Sequence, residues 1–238
     1  QRVFWRPNVI LTGWFTGLAH SMPNYLVDSM NFLGERGLLA TDFDSIIHYW
    51  ALHGLNYYVT ARLNWNPNLS VDEILDDYCG AGFGAGAKYI KEYFLLLEKM
   101  TEHVSETSAG IDIVEGKFTD EDMKKLRSLL NDATKAVGDD ETIKARIAFL
   151  RTGLNVTDLH VTLYRMASDV RNKKKIDQKY ANELMDLRYL VMRDLVVNNP
   201  LAVNVGNLLG QKAYTDSLAP LKWSRSPALK LEDPKTSG

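Results

Sequence analysis

Two stretches carry residue types that could do chemistry. The first is "DDYCGAGFGAGAKYIKEYF", residues 76–94, which places Gly80, Gly82, Gly84 and Gly86 at alternate positions and follows them with Lys88. Gly80, Gly82 and Ala85 fit a dinucleotide fingerprint in its Gly-or-Ala form, and Ala87-Lys88 sits roughly where a phosphate-binding loop carries Gly-Lys. A phosphate would meet backbone N–H groups and a cation there. The second stretch is "GLLATDFDS", residues 37–45, a short apolar run ending in Asp42 and Asp44. Side chains two apart on a strand point the same way, so these carboxyls could line one pocket. The plainer role for Asp44 is to cap the helix that follows.

Any such pocket needs elements to hold it. With 238 residues, 45% hydrophobic and 24% charged, the chain has the composition of a globular protein and room for one large domain or two small ones. Its 28 basic and 30 acidic residues are spread along the chain for a net charge of −2. That gives no basic face for nucleic acid, and no apolar run approaches the roughly 20 residues of a membrane span, so neither is expected as a partner. One cysteine, Cys79, excludes an internal disulfide framework and a cysteine-rich metal site. Compartment stays open, secretion or the periplasm included. The chain opens on Gln1-Arg2-Val3, without a signal-peptide pattern and without methionine, as a mature or excised piece of something longer would.

Composition changes near residue 70. Before it, short apolar runs mix with glycine, proline and four of the five tryptophans. "PNYLVDSMNFLGERG" spaces Leu26, Val27, Met30 and Leu33 as a helix that stops at Gly37, and "GLLAT" then reads as a buried strand. Leu55, Tyr58, Val59 and Leu63 form the next helical stripe, ended by Asn66-Pro67. Residues 71–212 read almost entirely as helix. Ser70 with Glu73 makes a capping box, and Thr119 precedes three acids in a first turn. A long helix starts at Asp139 or Asp140, and a last one runs from about Asp177 to Val197. Short connections make these helices antiparallel neighbours in a bundle.

That order decides the glycine question. A phosphate loop needs a strand feeding the glycines, so that the next helix aims its amino end at the ligand. A capped helix feeds them here, and the expected structure is a helix–helix corner with Phe83 packed into it.

Residues 54–98, "GLNYYVTARLNWNPNLSVDEILDDYCGAGFGAGAKYIKEYFLLLE", resemble the signature of a bacterial family of uncharacterised glycoside-hydrolase-like proteins that carry a domain of unknown function. "WRPNVIL" and the strand end "TDFD" resemble it too. Similar segments close the barrel in hexosaminidase-like and α-glucuronidase-like enzymes. The resemblance implies a mostly α chain holding the last units of a (β/α)8 barrel in residues 1–70, followed by a helical domain in 71–238. A whole barrel takes roughly 250 residues, so the strands that bring most of the acid and base groups are expected to lie outside this chain.

Under that resemblance the carboxyls acquire a task. Glycoside cleavage sets two carboxyls about 5 Å apart for retention or about 6.5–9.5 Å apart for inversion. Asp42 and Asp44 are the candidate catalytic pair, because barrel sites sit at the carboxyl ends of strands. Sugars also want flat apolar faces with polar edges, which Trp14, Tyr49, Trp50 and Tyr57 with His48 could offer, though such residues serve more often as core. Arg6 and Asn8 could bond a hydroxyl or a sugar carboxylate, and an Arg6–Asp42 pair is an equal alternative. His48 and His53 are five apart and so do not share a helix face for a metal, and no cofactor is implied. "RNKKK", residues 171–175, reads as a solvated connection. The expected function is the carboxyl-terminal part of a glycoside-hydrolase-like enzyme, one wall of its sugar site. The expected partners are carbohydrate and either a second copy or the remaining barrel. The alternative is a non-catalytic helical module that binds glycan or protein.

Overall fold

Gly37 adopts a positive φ of 82°, and this left-handed turn reverses the chain between a helix and a strand. In the computed structural model, which describes residues 2–8, 16–43, 48–102, 114, 117–226 and 229, strand β1 (Val3–Trp5) pairs in parallel with β2 (Leu38–Thr41). Helix α1 (Pro23–Gly34) lies between them in sequence. Val3 faces Leu38 and Phe4 faces Ala40, an irregularity that leaves Leu39 as an extra residue. This strand–helix–strand unit is the one a parallel barrel repeats, and it is the single sheet among the described residues.

Helix α2 (Trp50–Trp65) follows and is buried around most of its circumference. A helix apolar or buried on all sides belongs in the middle of a fold. Around it stand α3 (Val71–Phe83), a 3-10 turn (Gly84–Gly86), α4 (Ala87–Thr101), α5 (Asp120–Ala136), α6 (Glu141–Arg171) and α7 (Gln178–Asn198). The short α8 (Val205–Gly210) and α9 (Lys212–Leu218) close the array, before a 3-10 turn at Ala219–Leu221. At 31 residues α6 is about 46 Å long, and α2, α3, α5, α7 and α9 all touch it.

One hydrophobic cluster runs from Leu18 to Leu221, so the packing crosses the change of composition at residue 70. Gly153 marks its tightest crossing: a Cβ there would stand 2.8 Å from the Ala51 carbonyl carbon, closer still to its oxygen. That glycine lets α6 and the start of α2 meet backbone to backbone.

The glycine stretch is the corner expected of it. Helix α3 continues through Gly80 and Gly82 to Phe83, beyond the expected stop, and Gly84 ends it at φ 48° with its N–H on the Gly80 carbonyl. Phe83 is buried. Arg146 donates to the Gly82 carbonyl at 2.9 Å, so what the corner presents is the acceptor end of a helix, served by a cation. Lys88 lies over the Tyr89 ring, 4.6 Å from its centroid.

Candidate functional site

Residues 16–22, "TGLAHSM", are buried yet neither helix nor strand over most of their length. A buried irregular backbone must find partners for its polar groups, and here side chains of α2 and α6 supply them. Tyr164 donates to the Thr16 carbonyl at 2.6 Å, and His160 Nδ1 sits 3.2 Å from the Gly17 carbonyl oxygen. Thr157 accepts from Ala19 N–H at 2.9 Å. Asn56 accepts from Met22 N–H at 2.9 Å and donates to the His20 carbonyl at 2.8 Å. The segment is held from both sides before any ligand arrives.

The last residues of this segment, His20, Ser21 and Met22, form the floor of a cleft of about 980 Å³. Arg6 and Asn8, just past the end of β1, line one side, and Asp28 and Tyr25 of α1 with Glu98 of α4 line others. At the strand ends Arg6 Nε donates to Asp42 Oδ2 at 2.9 Å, the pairing foreseen as an alternative, and both side chains are about half exposed. Asp42 N–H in turn bonds the Trp5 carbonyl at 3.0 Å, which fixes the aspartate where the sheet ends. Glu98 accepts from the N–H and the side-chain amide of Asn24, at 2.8 and 2.7 Å. Met22 has no capping side chain, so this carboxylate from another helix caps α1. Burial raises the Glu98 pKa while the Asn24 bonds lower it, and burial prevails.

Polar groups at and beneath the floor lack partners among the described residues. His20 Nδ1, Ser21 Oγ and both ring nitrogens of His53 are sealed from solvent and have no hydrogen-bond partner among the described residues. The His20 and His53 rings lie 6.1 Å apart, and His53 stacks on Tyr57 at 6.3 Å. Burial, with the Lys117 charge adding to it, pulls His20 down to about 4. Burial and then the His20 charge pull His53 down to about 3, outweighing the opposing effect of a Leu18 backbone group. Both rings are neutral at pH 7.

The expected site residues separate into groups. Arg6 and Asn8 line the cleft beyond the end of β1, and Asp42 is paired with Arg6 without lining it. Tyr49 and Tyr57 are core; Tyr49 donates to Asn207 Oδ1 at 3.2 Å, and Tyr57 meets Trp50 edge-on at 4.9 Å. His48 is exposed at φ 53°, and Trp50 is partly exposed at the start of α2, whose N-cap Tyr49 makes no side-chain capping bond. None of these four lines the cleft. Trp14 and Asp44 lie outside the described residues. Sequence reasoning passed over His20, Ser21, Tyr25 and Glu98. The signal for two of them was a His-Ser pair inside "LAHSMP", an apolar run just before a helix-starting proline. No group of three or more metal-ligating side chains occurs among the described residues.

Residues 12–95 match the family model of a domain of unknown function (DUF4838), roughly a third of the chain. The match begins just before the cleft floor and ends within α4, so the floor and α2 fall inside it and β1 does not. No curated protein and no solved structure matches the chain.

Proposed function

We propose that the cleft is one wall of a carbohydrate site and that the chain is the carboxyl-terminal part of a glycoside-hydrolase-like enzyme, with the helices as its support. The observation that carries this reading is the cleft's position. It opens beside the carboxyl end of a parallel strand, the place where barrel sites lie, with Arg6 and Asn8 on one side and the polar side chains of Asn24, Asp28 and Glu98 on others. Sugar hydroxyls are uncharged donors and acceptors, the complement of such groups. The exposed Tyr25 ring on the wall is a face for sugar C–H groups. Asp42, held by Arg6 next to this wall, is the acid assigned to the site, and its partner carboxylate is Asp44 or a group from strands outside the chain.

Titration calorimetry with N-acetylglucosamine, glucuronic acid and their β-linked disaccharides tests the reading. Saturable binding is expected, weakened about tenfold or more in Asp28→Ala, the effect of one lost hydrogen bond to a charged group on the cleft wall. Aryl glycosides should not turn over above background, because two strands do not supply a full set of catalytic groups. Absence of saturable binding to every sugar at tens of millimolar would remove the proposal. A second reading, a helical interaction module, is favoured by one feature: Leu187 and Leu190 of α7 stand exposed along a groove against α6.

A further inference from the structure

Helix α7 turns Ala181, Met185, Arg188, Met192 and Leu195 toward the core, all of them buried. The middle of this stripe is an arginine, 8% exposed, with a methionine one turn to either side. An arginine stays charged at any ordinary pH, and a buried charge normally has a counter-charge. Arg188 has none among the described residues. Its Nε donates to Tyr214 Oη at 2.7 Å, and its Cζ lies 4.9 Å from the centroid of the same ring.

Neutralisation does not come from within either. Having accepted from Arg188, Tyr214 Oη gives its own proton to His160 Nε2 at 2.9 Å, and His160 Nδ1–H then faces the Gly17 carbonyl. Every proton in the chain is assigned, and it ends on a neutral acceptor. The unpartnered polar atoms sealed from solvent do not include either Nη of Arg188, so the outer edge of the fork reaches solvent.

We propose that Arg188 is the receptor for the oxyanion group, carboxylate or phosphate, of a small ligand. With Nε engaged by Tyr214, the two Nη groups form the free edge of the fork, whose spacing matches two oxygens of one oxyanion. The site lies at the α7–α9 contact, stands apart from the cleft residues, and does not depend on the sugar reading.

Thermal unfolding in phosphate and in acetate, each against sodium chloride at matched ionic strength, tests it together with NMR of the arginine 15Nε–1H groups. A saturable upward shift of at least about 2 °C is expected for the native chain, with movement of the Arg188 resonance. Tyr214→Phe should keep both responses, since it keeps the cation. Arg188→Met should lose them while unfolding in chloride no lower than the native chain, because an apolar side chain replaces an uncompensated buried charge. The phosphate and acetate arms identify which oxyanion is preferred. A response equal in Arg188→Met, or an Arg188 resonance that neither anion moves, overturns the proposal. If Arg188→Met does not fold, the resonance in the native chain and in Tyr214→Phe decides.

Discussion

One methyl group is a probe of the tightest contact in the fold. Gly153→Ala would drive a Cβ into the Ala51 carbonyl, backbone that has no rotamer to yield, and should destabilise the protein by about 2–4 kcal/mol. Urea unfolding measures it; a loss under 0.5 kcal/mol would mean that the helices slide apart freely. The buried histidines make the second residue-scale prediction. His20, His53 and His160 are held neutral, down to about 4, 3 and 3, by burial and then by Lys117, by His20 and by Arg188 respectively. An unfolded histidine titrates near pH 6.5. Stability is therefore fully present above 6.5 and is lost as pH falls toward 4, by up to about 1.4 kcal/mol per pH unit for each ring. A urea midpoint unchanged between pH 7.5 and 5 would contradict this. Arg6 and Asp42 were readable in the sequence because each follows an apolar strand. His20 was not, because its burial depends on Leu52 and Asn56, further along the chain.

Helices whose first turn is closed by a local side chain could be read directly. Ser70, Thr119, Asp140 and Asp177 each accept a backbone N–H three residues on, and the helices start at those places. Helix α2 could not be dated this way, since its first turn takes its order from the Leu201 and Ala202 carbonyls, bonded by Trp50 and Ala51 N–H. The glycines separate the two kinds of information. Gly82 lies within α3 with nothing within 4 Å of a would-be Cβ, whereas Gly84 has φ 48° and Ile143 Cδ1 at 3.0 Å. Gly82→Ala should stabilise by about 0.5–1 kcal/mol and Gly84→Ala should destabilise by about 1 kcal/mol or more. Thermal melts of the pair check the opposite signs, and equal signs would mean that the corner is misassigned.

Across the whole molecule, the two-stranded sheet is one of the places where large apolar side chains stand in solvent. Parallel strands are normally covered on both faces, yet Phe4 and Leu39 are 62% and 63% exposed. Sedimentation velocity should show association rising between about 5 and 200 µM, lessened in the Leu39→Lys variant, as a charge on an edge strand blocks pairing. A strictly monomeric species throughout would show that the exposed strands recruit nothing. The segment that ends in the cleft floor sets a different constraint, on the order of assembly. Thr16, Gly17 and Ala19 are tied to Tyr164, His160 and Thr157, partners 148, 143 and 138 positions later. A ribosome releases the residues that line the cleft long before it releases the ones that shape it. The pocket is thus among the last features the nascent chain can acquire, since such long loops must close before their contacts repay the lost entropy. A fragment cut before α6 would keep every lining side chain and have no site.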